Sequence, residues 1–344
     1  MSEILKEIIK KAARKENLSQ REIKKAMAEI INKKATPSQI GAFLIALSIK
    51  GETPEEIKAL VDVIYENALK IKAPKEAIDI HGTGGDFSGS FNISTASTFV
   101  VAANGVIIAK HGNKSSTGRS GSGDAFEALG VNINLKPKDV EKCINKIGMG
   151  FMFAQKFHPK LKPIVGPRRE IGVRTIFNLA FPLVSPANVK YHSLGVAKWE
   201  LASLYMNVLK KIGCKRIAII HGENGMDEIS ISSPSKILFY DKGKQKLMKI
   251  KPEDFGMKRA NIKKIQIKNA KQSAAIIKGI FKNKITDCRK DIVLLNSAVG
   301  LLVAGKVKTI KEGIKMANKT IKSGKALQKL KEFSEISNKL ARNK

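Results

Sequence analysis

Three glycines fall within six residues in His81-Gly82-Thr83-Gly84-Gly85-Asp86, a composition that lets several main-chain N–H groups close around an anion. The segment has the chemistry of a phosphate loop. It lacks the Gly-Lys-Ser/Thr ending of a nucleotide P-loop and the glycine spacing of a dinucleotide fingerprint. Just beyond it, Phe91-Asn92-Ile93-Ser94-Thr95 opens a helical pattern. Ser94 or Thr95 can there offer a hydroxyl where unpaired N–H groups and the helix dipole favour negative charge. An ordinary helix cap needs the same residue types, and both uses are compatible.

A second polar segment, residues 110–123, sets Lys110, His111, Asn113, Lys114 and Arg119 among five hydroxyl residues and four glycines. Such a stretch buries almost nothing apolar and is costly to order, so its density of donors suits a polyanionic ligand. Asp227 and Glu228 stand together in HGENGMDEIS. Neighbouring carboxylates in a loop suit Mg²⁺, which takes one or two carboxylates plus waters and phosphate oxygens. A solvated acidic turn has the same composition.

Each of these segments follows a run able to form a strand. The apolar stretches 77–80 and 106–109 precede the two glycine-rich loops, helical patterns follow over 94–104 and 125–129, and Gly105 and Gly130 end them. Further strands are expected over 131–135, 150–154 and 216–220, with a hairpin over 229–250 that turns at Asp241-Lys242-Gly243. Alternating strand, loop and helix argues for a mostly parallel sheet, with the loops along one edge. Residues 1–72 read as helices instead, with starts at Ser19, Thr36-Pro37 and Thr53-Pro54, and residues 158–210 return to helix. The expected organisation is a small helical N-terminal lobe, residues 1–72, joined by helices from about 165 to 210, and a larger α/β domain over 73–344.

The charge balance is +33, from 63 basic and 30 acidic residues. Only ten of the basic residues are Arg, and no aromatics interleave with the lysines as a single-strand stacking platform requires, so nucleic-acid binding is not expected. The same field speeds the arrival of a phosphorylated substrate. Apolar runs fall short of a bilayer span, the N-terminus reads as an amphipathic helix rather than a signal peptide, and three widely spaced cysteines suit a reducing compartment. A cytoplasmic protein with no membrane partner is the expectation.

GTGGD (82–86), FNISTAS (91–97), KHGN (110–113), GSGDAFEALGVNINL (121–135), FMFAQKFHPKLK (151–162), PRREIGVRTIFNL (167–179) and GMDEIS (225–230) together resemble anthranilate phosphoribosyltransferase, in order and spacing. The resemblance covers roughly residues 75–235. It implies transfer of the phosphoribosyl group of 5-phosphoribosyl 1-diphosphate to anthranilate in tryptophan biosynthesis, by a Mg²⁺-dependent homodimer with a nucleoside-phosphorylase type fold. It also implies that Gly82, Gly85, Asp86, Ser90, Asn92, Ile93, Ser94 and Thr95 contact the donor. From the second loop it adds Lys110, His111, Gly112, Asn113, Lys114, Ser115, Ser116, Thr117, Gly118 and Ser122. Metal would be held through Ser94, Asp227 and Glu228, and anthranilate by Gly82, Asn113 and Arg168, whose planar fork suits a carboxylate. No residue is assigned as general acid or base.

Departures from the family pattern are local. Lys114 stands for Arg, Thr117 and Gly118 for a pair of serines, Phe181 for Gly and Ser185 for Asn. Phe181 is expected to narrow the acceptor site. Two other readings share the architecture: a pyrimidine nucleoside phosphorylase, which would take phosphate and a nucleoside, and a basic nucleic-acid-binding paralogue without anthranilate activity. The DEIS segment and the HP…PRRE…RTIFN block favour the transferase.

Overall fold

The computed structural model describes residues 1–115 and 119–342. In chain order the first elements are α1 (Glu3–Ala13), α2 (Gln20–Ile31), α3 (Pro37–Lys50), α4 (Pro54–Glu66), β1 (Ile78–Gly82), α5 (Ile93–Ala102), β2 (Ile108–Gly112), α6 (Ser122–Ala128) and α7 (Pro137–Ile147). Then come β3 (Met149–Phe153), α8 (Ala154–Phe157), α9 (Lys162–Ile171), α10 (Ile176–Ala180), β4 (Tyr191–Gly195), α11 (Leu201–Lys211) and β5 (Arg216–Gly222). The chain closes with β6 (Ser235–Asp241), β7 (Lys244–Ile250), α12 (Ala270–Phe281), α13 (Cys288–Val303), α14 (Ile310–Lys322) and α15 (Lys325–Arg342). Two compact units result. The first comprises Met1–Lys70, Phe157–Pro186 and Asn207–Ile212, and the second Ile71–Lys156, Ala187–Met206 and Gly213–Lys344.

The first unit is helical. Its starts are set by side chains: Ser19, Thr36 and Thr53 each accept from the N–H three residues on, while Glu22, Gln39 and Glu56 reach back to complete capping boxes. Glu56 is fully buried yet satisfied, accepting from Leu18 N at 2.7 Å and pairing with Lys50 at 2.9 Å. The apolar faces of α1 to α4, among them Leu5, Ile23, Phe43 and Leu60, close a core between them.

The second unit is built on one seven-stranded sheet in the order β3-β2-β1-β4-β5-β6-β7. The first five strands are parallel, and β6 and β7 are the expected hairpin, antiparallel at the other edge. Phe99, Phe126, Phe281 and Phe333 pack edge to face in its core. The apolar run after Asp291 is the interior helix α13, and no helix among the described residues is long and apolar enough to cross a membrane. The three cysteines are free and buried, and burial pushes the Cys143 and Cys214 thiols up to about 12.

Two expectations are corrected. Residues 131–135 form no strand: Val131, Ile133 and Leu135 are buried in alternation, but side chains take the backbone donors, Ser337 Oγ accepting from Asn132 N at 3.0 Å and Asn132 Oδ1 from Asn134 N at 2.9 Å. The stretch 158–210 is not helical throughout, because Tyr191–Gly195 is β4. That strand is short and carries polar residues, His192 and Ser193, that its central position buries. Residues 187–206 accordingly belong to the second unit rather than the helical one.

Candidate active site

β1 and β4 are neighbours, yet the chain continues from them in opposite directions across the sheet, β1 toward β2 and β4 toward β5. Their carboxyl ends form a switch point, the edge at which open α/β sheets bind ligands. Gly82 and Gly195 face each other there in register. A Cβ on Gly195 would stand 1.6 Å from the main-chain oxygen of Asp227, and one on Gly82 would stand 2.2 Å from its Oδ2. Two glycines thus let the loop after β5 lie across both strand ends.

That loop joins the first glycine loop and the start of α5. Asp227 Oδ2 accepts from Gly84 N at 2.7 Å, and Glu228 Oε1 accepts from Ser94 N at 3.2 Å. Gly84 and Gly85 take left-handed backbone, which explains the residue type. Burial, and then the negative charge of Asp86, pushes Asp227 up to about 7. Burial, and then the charge of Asp227, raises Glu228 well above the usual carboxylate range. A pair of carboxyls forced toward the acid form in this way is a site that a cation relieves. Among the described residues no three His, Cys, Asp or Glu side chains are grouped as a metal cage.

Lys110 departs from its expected role. Its side chain is 1% exposed and its ammonium donates to the carbonyl of Ile80, within the sheet. Burial lowers it, and the charges of Asp79, Glu228 and Asp227 oppose that. It therefore acts on the site through its field from below. Beside it, Asp79 Oδ2 accepts from His111 N at 3.0 Å and Oδ1 lies 3.3 Å from His81 Nδ1. Burial alone would raise Asp79, but His81, Lys110 and the His111 N–H outweigh it and hold the carboxyl well below its usual range.

The second loop is held at both ends. Asp124 Oδ2 accepts from Ser115 N and Gly121 N at 2.8 Å each, and Asn113 O accepts from Gly123 N at 3.0 Å. Asn92 is gripped by Ser120 and Ser273, whose hydroxyls donate to its Oδ1 at 2.8 and 2.7 Å. Arg119 donates to Ile267 O at 2.6 Å. Lys114 pairs with Glu127 at 2.8 Å, and Ser122 Oγ donates to Asn113 O at 3.4 Å. Ser116, Thr117 and Gly118 lie outside the described residues. Ile93 is buried with its N–H given to Phe91 O, whereas the buried Thr95 hydroxyl has no partner among the described residues.

Arg168 belongs to the first unit, on α9. Its Nη2 donates to Asn178 Oδ1 at 3.2 Å, and its guanidinium carbon lies 5.4 and 5.9 Å from the ring centres of Phe177 and Phe181. Burial disfavours its charge, and among the described residues no carboxylate pairs with it. A half-buried guanidinium without a counter-ion has donors open to an anion.

Sequence reasoning missed Gly195, Asp79, Ser120, Asp124, Ser273 and His192. Asp124 was legible, standing three residues beyond Gly121 at the start of a helix; Asp79, His192 and Gly195 are brought in by the sheet, and Ser120 and Ser273 by their shared contact with Asn92. His192, beside Asp79 in register, is held by burial down to about 4. The unfolded chain binds a proton below the usual 6.5 and the fold does not, so this group's contribution is present above pH 6.5 and is lost as pH falls to about 4. The drop is worth roughly 3 kcal/mol. Asp227, raised, has the opposite slope. Urea unfolding of His192→Gln and the parent should therefore show a stability difference that changes by about that amount between pH 7 and 4.5; a constant difference would refute it.

A helical unit paired with an α/β unit whose glycine loops meet twin carboxylates has the build of an enzyme that moves a phosphorylated sugar. The glycosyl transferase family's helical bundle domain matches residues 6–68, and its a/b domain matches residues 74–327. Over 334 residues the chain is 45% identical to the anthranilate phosphoribosyltransferase of Petrotoga mobilis, covering 97% of each. It matches the crystal structure of that enzyme from Thermus thermophilus with TM-score 0.89 and 34% identity, covering 96% of this chain and 99% of that one. The enzyme from Saccharomyces cerevisiae in complex with PRPP and Mg gives TM-score 0.91 and 27% identity, covering 98% and 99%. The chain belongs to the anthranilate phosphoribosyltransferase family.

Proposed function

We infer that this chain transfers the phosphoribosyl group of 5-phosphoribosyl 1-diphosphate to the amine of anthranilate, releasing pyrophosphate. The observation that carries the reading is the placing of Asp227 and Glu228 against the N–H groups of Gly84 and Ser94, at the first glycine loop and the start of α5. The first glycine loop and the start of α5 would hold the donor phosphates, with donors from the described ends of the 110–123 loop. Asp227 and Glu228, with the Ser94 hydroxyl, would hold Mg²⁺, whose charge when bound offsets the negative charge that grows on the departing pyrophosphate.

In the reaction an N–C1 bond forms as the C1–O bond to pyrophosphate breaks, and the amine loses a proton to solvent. The amine is already a nucleophile, so positioning and electrostatic stabilisation are what the protein must supply. Arg168, on the first unit, would take the anthranilate carboxylate through its unpaired donors. Two copies are expected to associate and to work in the cytoplasm; the mass in sedimentation checks the first point.

The test mixes protein, Mg²⁺, donor and anthranilate and follows loss of anthranilate fluorescence. Turnover supports the reading, and nucleoside phosphorolysis in its place, or a salt-dependent DNA shift with neither activity, would sink it. Arg168→Ala should raise KM for anthranilate on the order of 30- to 100-fold, the loss of a charge-assisted hydrogen bond, with KM for the donor within about 3-fold of the parent. Equal rises in both would remove Arg168 from the acceptor site.

A further inference from the structure

We propose that Phe181 is a specificity-determining residue for the acceptor, making the Arg168 site selective for planar aromatic monocarboxylates. The proposal rests on the reading that Arg168 takes the acceptor carboxylate.

Phe177 and Phe181 stand four residues apart, on α10 and the single 3-10 turn Phe181–Leu183 that extends it, so their rings emerge on one side with centres 5.9 Å apart. Arg168 lies against both. One of its five N–H donors is fixed by Asn178, and no carboxylate among the described residues uses the rest. The two rings and the amide therefore hold the fork in one place with donors left for a ligand.

The surrounding rings differ in what they can still touch. Phe177 is fully buried, and His158, whose ring meets Phe181 edge to face at 5.6 Å, is 6% exposed. Phe181 alone of the three is half-buried. It lies against His158 and Arg168, with part of its surface still exposed. A carboxylate seated on Arg168 brings its own carbon skeleton next to that surface, where a flat ring gains an aromatic contact and a puckered or branched one does not.

The backbone at Phe181 is ordinary right-handed helix, φ −56° and ψ −39°, so no glycine is needed there for conformation. Where the family pattern has Gly, this chain therefore places an aromatic ring against Arg168.

The experiment titrates benzoate, cyclohexanecarboxylate and anthranilate into the full chain by calorimetry, with Mg²⁺ and inorganic pyrophosphate present. The proteins compared are the parent, Phe181→Leu, Phe181→Gly and Arg168→Ala. Phe181→Leu keeps bulk without the π face, so it remains informative where the glycine variant folds poorly. The parent should prefer benzoate over cyclohexanecarboxylate, and Phe181→Leu should lose about 3- to 10-fold of that preference, the worth of one aromatic contact. Phe181→Gly should lose as much. An unchanged benzoate preference in both Phe181 variants, with Arg168→Ala abolishing binding, overturns the proposal and leaves the acceptor reading standing. Benzoate binding that survives Arg168→Ala overturns the acceptor reading, and the proposal with it.

Discussion

Asp227→Asn is expected to lower kcat/KM for phosphoribosyl transfer by on the order of 10² to 10³-fold while leaving the folded chain more stable at pH 8. The two effects share one cause. Burial and Asp86 hold the Asp227 carboxyl up to about 7, so above that pH the fold carries an ionised group that its surroundings disfavour. A carboxyl raised above its unfolded value contributes stability below about pH 4, which is lost as pH rises toward 7. Asn keeps an oxygen for the Gly84 N–H and has no proton to lose. Urea unfolding at pH 8 should put the variant ahead by on the order of 2 kcal/mol, and its stability should vary less between pH 5 and 8 than that of the parent. A variant both inactive and less stable would mean that Asp227 is chiefly a structural residue. The trade is the one expected where a site keeps an unfavourable charge for its chemistry.

Gly195→Ala should have the largest effect on folding of any single methyl added to the sheet. Its Cβ would meet main-chain carbonyl oxygen at 1.6 Å, which no change of rotamer relieves, so β4 or the Asp227 loop must move. A loss of about 3 kcal/mol is expected, with activity at background because the carboxylates leave the strand ends. Gly41→Ala is the control. It lies on α3 with its nearest new contact at 3.8 Å, so there the substitution should stabilise by about 0.5 to 1 kcal/mol. Denaturant midpoints of the two variants decide the matter, and equal midpoints would show that the Asp227 loop is not seated as described.

How much of this was legible in the chain depends on distance along it. Ser19 with Glu22, Thr36 with Gln39 and Thr53 with Glu56 are read directly, because both partners of a capping box lie within one turn. The glycine loops are legible for a similar reason, since left-handed backbone at Gly84 and Gly85 demands a residue type visible in isolation. β4 was not. A five-residue strand buried on both faces carries no amphipathic alternation, and its polar His192 and Ser193 disguise it until β1 and β5 flank it. The stretch 131–135 failed in the opposite sense: it has the alternation of a strand but spends its N–H groups on side chains.

By itself, then, the sequence determined residue chemistry and local geometry: two anion-seeking loops, adjacent carboxylates, and a motif order sufficient to place the chain in its family. Tertiary structure alone decided which of those groups can be used. Lys110 reads as a donor contact but is turned into the sheet, because β2 buries it beneath the loop. Arg168 is singled out in the sequence by resemblance alone, and the fold adds that it lies against two phenyl rings with no carboxylate partner among the described residues. Burial and the company of charges are set by residues distant in the chain, and they fix whether a polar side chain is a ligand, a counter-charge or a support.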